Sequence, residues 1–318
     1  MVELKNKMYT KKALLKEDFK DELFLKIRAW EVKKSPRDLG YVFVKDWPKL
    51  PKGWELSEYV SGVASDSKGR YYIFQRGKKA PPLMCFDRDG ELLSSWGEGL
   101  FLIPHMAKCD KNDNIWLVDR EHFLYLCSPN GEILKTLGTK GVPGEDDSHF
   151  DMPTDITFGR DGFLYISDGY GNSRIAVFDR DLNFVKQWGT MGVGKGQFLN
   201  PHAITTDIDG LVYVADRPNW RVSIFTSEGE FLKEWTHLGK PIGIVYAPDG
   251  FIYVSEVTTC RTYKVDTEGN IIGWFGEPGE GPGQTSWLHA ITVAKNGDIL
   301  LAHGYGKTQG RAQLFRRE

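Results

Sequence analysis

The chain has 318 residues, of which 41% are hydrophobic and 26% are charged, and its net charge is −2. This composition is that of an ordinary globular protein, and the near balance of charge excludes a general affinity for nucleic acid or anionic lipid. No stretch approaches the ~20 apolar residues of a membrane helix, and the first residues hold no apolar signal-peptide core. We therefore expect a cytoplasmic protein with neither a membrane nor a nucleic-acid partner.

Residues 1–40 form the first predicted region, a highly charged N-terminal extension. Between residues 11 and 30 its apolar side chains fall near one face of a helix, so a helix is the expected local structure. These side chains are Leu14, Leu15, Phe19, Leu23 and Ile27. The extension either caps the rest of the chain or contacts a second subunit, and both alternatives stay open.

Residues 41–318 repeat one structural unit. Its clearest copy runs from Asn200 to Trp235 and contains four short runs of β-branched and aromatic residues, separated by turn pairs such as Asp209–Gly210. Four strands joined by hairpins make one blade of a β-propeller. The last copy lacks its fourth strand, and the segment YVFVKDW (residues 41–47) resembles the fourth strands FVKQW and FLKEW of complete copies. We predict that this segment closes the ring and covers an otherwise exposed sheet edge.

One equivalent residue begins the first strand of every copy, and we call these six places the axial positions. They are Ser61, His105, Thr154, His202, Ile242 and His289, spaced 40 to 49 residues apart. Six positions at this spacing predict an all-β, six-bladed propeller. Because the first strand of a blade lies nearest the axis, the side chains at these positions should point into the central channel. The three histidines belong to alternate blades (2, 4 and 6) and should converge there.

Three imidazoles and an open fourth position are the ligand set of a catalytic zinc site, whereas structural zinc sites have four protein ligands. Imidazole also binds iron, copper and nickel, so the pattern favours zinc over other divalent transition metals without excluding them. The alternative is that histidine at this point is a habit of the repeat and bonds only to backbone carbonyls. Three of the seven histidines share the one equivalent position, which favours the metal.

Three segments carry a more specific pattern: FLIPHMAKCD, SDGYGNSR and GQFLNPHAITTDIDGLVYVADR. With the alternating histidines, they resemble the peptidyl-α-hydroxyglycine α-amidating lyases, zinc-dependent propellers of the NHL type that cleave carbinolamides to an amide and glyoxylate. The resemblance spans about residues 61–315. It implies that His105, His202 and His289 hold zinc, that Tyr170 is the catalytic tyrosine and that Arg76 is an active-site arginine.

Arg76 and Tyr170 both follow the second strand of their blades, which places them at the channel rim. A phenol needs a nearby cation or metal to act as a base near neutrality, and Arg76 together with zinc could supply that field. Two plainer interpretations stay open. Arg76 could form a rim ion pair, because Arg120 and Arg217 occupy the same place in their blades, and Tyr170 could simply pack as an aromatic side chain.

The sequence departs from the family pattern at several places. The disulfide cysteines of the family are missing, with Asp151 and Gly171 at two of their positions, and the chain's own cysteines are expected to be buried and reduced. They are Cys85, Cys109, Cys127 and Cys260. Ala290 replaces an aspartate that helps to hold a structural calcium ion in the family. A calcium site is therefore in doubt, although Val63 and Ala107 retain their carbonyls.

Four residues beside these positions are expected to contact the substrate: Trp287, His303, Met106 and Tyr305. Trp287 stands where the family has a methionine, and its bulkier, flatter wall indicates a different substrate. His303 ends a second strand where other blades have Asp or Glu. A substrate contact and a tolerated substitution are equally open for His303.

The leading functional hypothesis is a zinc-dependent lyase that cleaves the C–N bond of a small carbinolamide-like substrate, with Arg76 clamping a substrate carboxylate. One alternative is a zinc hydrolase of a small amide or ester that uses a metal-bound water. The other is a non-enzymatic NHL interaction platform. Such a platform needs an exposed basic or apolar face, which the balanced charge of this chain does not indicate.

Overall fold

A computed structural model describes residues 38–304 and 310–317 of the protein. The predicted extension therefore lies almost wholly outside the described residues, and Tyr305 lies outside them too. Within the described ranges, no helix has the length and apolar character needed to traverse a bilayer. A 3-10 helix at Arg217–Asn219 is a single short turn.

Six four-stranded antiparallel sheets form the blades, preceded in the chain by the short strand β1 (Tyr41–Phe43). Blade 1 consists of β2 (Val60–Ser65), β3 (Tyr71–Gln75), β4 (Leu83–Phe86) and β5 (Leu92–Trp96), and blade 2 of β6 (Pro104–Cys109), β7 (Ile115–Asp119), β8 (Phe123–Cys127) and β9 (Ile133–Gly138). Blade 3 consists of β10 (Asp155–Phe158), β11 (Leu164–Asp168), β12 (Arg174–Phe178) and β13 (Phe184–Trp188), and blade 4 of β14 (Pro201–Thr206), β15 (Val212–Asp216), β16 (Arg221–Phe225) and β17 (Phe231–Trp235).

Blade 5 consists of β18 (Pro241–Tyr246), β19 (Ile252–Glu256), β20 (Thr262–Val265) and β21 (Ile271–Phe275). A small parallel pair, β22 (Glu277–Pro278) and β23 (Gln284–Thr285), lies between blades 5 and 6. Blade 6 consists of β24 (Leu288–Val293), β25 (Ile299–His303) and β26 (Arg311–Arg317), and its fourth strand is β1. The predicted six-bladed all-β propeller is confirmed.

The N-terminal segment closes the ring as predicted, because β1 pairs antiparallel with β26 at the outer edge of blade 6. The strand is shorter than the predicted seven-residue segment, since it ends at Phe43. Trp47 instead packs against blade 1, with ring centroids 5.8 Å from those of Tyr71 and Phe86. The segment therefore ties blade 6 to blade 1 through both backbone and side-chain contacts.

Burial changes from the axis to the rim of each blade. The second strands, such as β7 and β15, are buried along their whole length because neighbouring blades cover both of their faces. The fourth strands β13 and β17 alternate between more and less exposed residues. The inner strands around the channel are thus the most deeply buried part of each blade. All four cysteines are free thiols, but the prediction that all are buried holds only for Cys85 and Cys127, since Cys109 and Cys260 are partly exposed.

Candidate metal centre

A β-bulge at the axial position shapes the first strand in five of the six blades. In β14, for example, Pro201 pairs with Asp216 and Ala203 with Ala215, so His202 is the extra residue between them. The same shift in register brackets Ser61, His105, Ile242 and His289. A bulge re-aims one side chain out of the regular alternation of a strand. The fold therefore repeats one device that turns the axial residues away from the blade-to-blade packing.

The three axial histidines are each anchored by the next blade in the ring. The Nδ1–H groups donate to the carbonyl oxygens of Thr154, Ile242 and Ser61, at 2.6 Å from His105, 2.8 Å from His202 and 2.6 Å from His289. A carbonyl only accepts, so these bonds fix the proton on Nδ1 and leave the lone pair on Nε2. The non-histidine axial residues thus have a role that the sequence did not reveal: their carbonyls orient the imidazoles.

The imidazoles converge as predicted. Their ring centroids lie 4.8 to 5.1 Å apart, and the nitrogen atoms that they offer all lie within 4.8 Å of one another. Within the described parts of the chain, the buried Nε2 atoms of His202 and His289 have no hydrogen-bond partner. The interpretation in which histidine bonds only to carbonyls accounts for Nδ1 but leaves these Nε2 atoms unexplained. The cluster is one that could bind a metal ion.

The electrostatics keep this cluster neutral. Burial is the largest cause that lowers the pKa of all three imidazoles, to about 3 for His289 and well below the usual value for His105 and His202. The arginines at the channel rim lower these pKa values further, and for His105 and His202 the neighbouring imidazoles add to the effect. Neutral imidazole is the form that binds a metal, so protons do not compete for the site near neutral pH.

Tyr170 lies at the edge of the cluster, with its hydroxyl oxygen 3.3 Å from His105 Nε2. Its ring stands edge-on to the rings of His105 and His202, at 5.4 and 5.9 Å between centroids. Two guanidinium groups flank that ring: Arg120 Cζ is 4.1 Å and Arg217 Cζ 5.7 Å from its centroid. The phenol is thus held beside the histidines and between two cations.

Arg76 reaches the cluster from the other side. Its Nε donates to the carbonyl of Pro104 at 2.7 Å, directly before His105. Its Cζ lies 4.1 Å from the ring centroid of Tyr59, and that ring stands edge-on to His289 at 4.9 Å. Tyr59 was missed from the sequence, where its only signal is an aromatic residue two places before an axial position.

The residues expected to contact substrate are placed differently from one another. Trp287 is 48% exposed, with a positive φ of 43°, and remains available to a ligand. Met106 is 3% exposed and belongs to the apolar core, because the residue after an axial bulge faces the adjacent blade. This position favours packing over substrate contact for Met106.

His303 is 1% exposed and bonded through both ring nitrogens. Its Nδ1–H donates to the Ser286 carbonyl at 2.8 Å, and its Nε2 accepts from Gln313 Nε2 at 3.1 Å. In blades 2 to 5 a carboxylate ends the second strand, and Asp216, for example, accepts the backbone N–H groups of Leu199 and Asn200. The geometry favours the second of the two interpretations for His303, a substitution that anchors the preceding loop.

Comparison with known proteins gives matches to the NHL repeat and to proteins named for peptide amidation. The family model of the NHL repeat matches residues 150–178, which include β10, β11 and β12. Peptidylglycine alpha-amidating monooxygenase of Rattus norvegicus is 35% identical over 316 residues, which cover 86% of this chain and 32% of that protein. The probable peptidyl-alpha-hydroxyglycine alpha-amidating lyase of Caenorhabditis elegans is 36% identical over 200 residues, covering 54% of this chain and 57% of that one.

NHL repeat-containing protein 3 of Mus musculus is 31% identical over 237 residues, covering 67% of this chain and 68% of that protein. This chain belongs to the NHL-repeat family. Among NHL-repeat proteins it resembles those named amidating lyases, and it spans about a third of the length of the amidating monooxygenases that it matches. A streptogramin B lyase structure shares the fold, with a TM-score of 0.59 at 18% identity over 89% of this chain and 90% of that one.

Proposed function

We propose that this NHL-repeat protein is a zinc-dependent lyase that cleaves the C–N bond of a small α-hydroxyglycine-type carbinolamide. The observation that carries the proposal is the histidine cluster, in which carbonyls fix all three Nδ1 atoms and the buried Nε2 atoms of His202 and His289 have no partner among the described residues. A purely structural polar cluster would pair those atoms. The names of the relatives support the same reaction class.

The donor set fits a zinc ion. Zn–N bonds of about 2.0–2.1 Å in a tetrahedral site would place ligand nitrogens roughly 3.4 Å apart, so nitrogens that lie within 4.8 Å of one another would have to approach by up to about 1.4 Å. Three neutral histidines leave a coordination position for a substrate oxygen. When bound there, zinc would supply Lewis-acid polarisation of that oxygen.

The side chains of the site can carry the proton that the reaction moves. Tyr170, acting as a base, would take the proton of the substrate hydroxyl, and the electrons of that O–H bond would form the carbonyl of an aldehyde product as the C–N bond breaks. The same proton would return to the departing nitrogen, which leaves as a primary amide, and no water is consumed. Arg76, whose guanidinium lies over the ring of Tyr59 next to His289, would bind an anionic group of the substrate.

The test is product formation from N-benzoyl-α-hydroxyglycine by the zinc-loaded protein. A lyase yields benzamide and glyoxylate, whereas a hydrolase working on the amide bond yields benzoate that carries solvent oxygen. We expect Tyr170→Phe and His202→Ala each to lower turnover by at least about 10²-fold, in the range of a lost general base or metal ligand. Tyr246→Phe, the same chemical change at the far end of β18, should retain wild-type turnover. Full activity in Tyr170→Phe or His202→Ala would remove the assignment.

A further inference from the structure

The rim position that follows each second strand has an uneven distribution of arginines. Arg76, Arg120 and Arg217 occupy it in blades 1, 2 and 4, and Gly169 occupies it in blade 3. Because Gly169 has no side chain, the start of blade 4 packs directly against the backbone before Tyr170. A Cβ at Gly169 would lie only 2.3 Å from the Pro201 carbonyl oxygen. The arginines of blades 2 and 4 therefore flank the phenol of blade 3.

Arg120 differs from the arginines that hold the blades together. Arg174 and Arg221 are buried and form ion pairs with Asp168 and Asp216. Arg120 is partly buried, and across residues 38–304 and 310–317 its buried Nε has no hydrogen-bond partner. Its Nη2 is 3.6 Å from the sulfur of Met152, which is a weak acceptor. A guanidinium withdrawn from water without a carboxylate partner is costly unless a ligand compensates it.

A second buried polar side chain lies beside Gly169. The side-chain amide of Asn200 is fully buried, and neither its oxygen nor its nitrogen has a partner among the described residues. It lies against Gly169, since a Cβ there would be 2.8 Å from Asn200 Oδ1. The Nε2 atoms of His202 and His289 likewise have no partner within the part of the chain that the structure describes. Polar groups in and beside the histidine cluster are thus left for a polar ligand to pair.

We propose that Arg120, in addition to Arg76, binds the carboxylate of the substrate while its guanidinium, 4.1 Å from the ring centroid of Tyr170, supports that ring. The inference rests on the proposed function, because it assigns a further substrate-binding residue to the same site. A guanidinium recognises a carboxylate through two parallel N–H groups, and such charge-assisted bonds are stronger than neutral ones. The ligand class is a small carboxylic acid with a polar group that can reach the histidine cluster.

The experiment measures binding rather than turnover. Hippurate (N-benzoylglycine) and its neutral counterpart hippuramide are titrated calorimetrically into zinc-loaded and EDTA-treated protein. We expect Arg120→Met to weaken hippurate binding at least about tenfold, the loss typical of a charge-assisted hydrogen bond, and to change hippuramide binding less than about twofold. Arg120→Gln should behave like Arg120→Met and decides the outcome if the methionine variant does not fold. Lys111→Met, in the turn after β6 on the opposite face, is the control and should bind both ligands normally.

Three results overturn the inference: hippurate binding unchanged in Arg120→Met and Arg120→Gln, equal weakening of both ligands, or no preference of the wild-type protein for hippurate over hippuramide. Glyoxylate release from N-benzoyl-α-hydroxyglycine is measured separately on the wild-type protein. If release is absent while the charge-selective loss is present, the lyase proposal fails and the carboxylate site stands. The reverse pattern removes Arg120 and leaves the lyase proposal intact.

Discussion

Acidification should lower the free energy of unfolding of the wild-type protein more than that of His303→Gln, because His303 is buried as a neutral imidazole. Burial, reinforced by the positive charge of Arg311, lowers the pKa of His303 to about 3, and the bond to the Ser286 carbonyl opposes this only partly. In the unfolded chain the group has its ordinary pKa of about 6.5. The unfolded state therefore binds a proton at mildly acidic pH that the folded state does not accept.

The sign and size follow from this difference. The stabilising effect of the neutral His303 is complete above pH 6.5 and is lost as the pH falls from about 6.5 toward 3. At about pH 4.5 the pH is two units below the unfolded pKa, and each unit corresponds to about 1.4 kcal/mol. The wild-type free energy of unfolding should therefore fall by about 2.7 kcal/mol between pH 7.5 and 4.5 because of this one group.

Glutamine is the matched replacement, since Gln75 occupies the same place in blade 1. There Gln75 Oε1 accepts from the Ser57 N–H at 3.1 Å and its Nε2 donates to the Ala80 carbonyl at 2.8 Å. Urea unfolding of both proteins is measured at the two pH values in EDTA, which removes bound metal. The contributions of the other titrating groups cancel in the difference between the two proteins. The difference between the two proteins should shift by about 2.7 kcal/mol in favour of His303→Gln at the lower pH. An equal acid loss in both proteins would refute the burial argument.

Two substitutions test the backbone around the site. Gly169→Ala should destabilise the protein by at least about 2 kcal/mol and weaken zinc binding, because its Cβ would meet the Pro201 carbonyl next to His202. Urea unfolding and zinc titration measure the two effects. Wild-type stability and zinc affinity in this variant would show that the backbone there can move apart at little cost. Trp287 has a φ of 43°, which glycine tolerates and alanine does not. We therefore expect Trp287→Gly to be more stable than Trp287→Ala by about 1 kcal/mol in urea unfolding, and both to have a raised KM if the indole contacts substrate. A more stable alanine variant would show that the backbone there relaxes.

The fold was accessible from the sequence because each blade repeats the same gradient of burial. Second strands such as YVAD of β15 are continuously apolar apart from their final carboxylate, and outer strands such as FVKQW alternate. Equivalent positions in such a repeat are equivalent in space, so three histidines at one repeat position had to meet at the axis. The closing strand β1 was found for the same reason, by its likeness to other outer strands.

The parts of the site that the sequence did not reveal depend on contacts between blades. Backbone carbonyls have no sequence signature, so the roles of Ser61, Thr154 and Ile242 in orienting the imidazoles were hidden. The stacking of Arg120 on Tyr170 depends on the angle between blades 2 and 3, where the sequence indicated only a shared rim position. Met106 was predicted to contact the substrate, whereas its burial in the apolar core depends on the register shift at His105, which the sequence did not indicate.

The most direct measurement of the central claim is the zinc stoichiometry and affinity of the wild-type protein and its histidine variants, determined by competition with a chelator. The wild-type protein should bind one zinc ion per chain tightly, and alanine at His105, His202 or His289 should each weaken binding at least about a hundredfold, while His122→Ala, outside the cluster, should not. Equal zinc binding by the wild-type protein and by a variant lacking all three axial histidines would contradict the account.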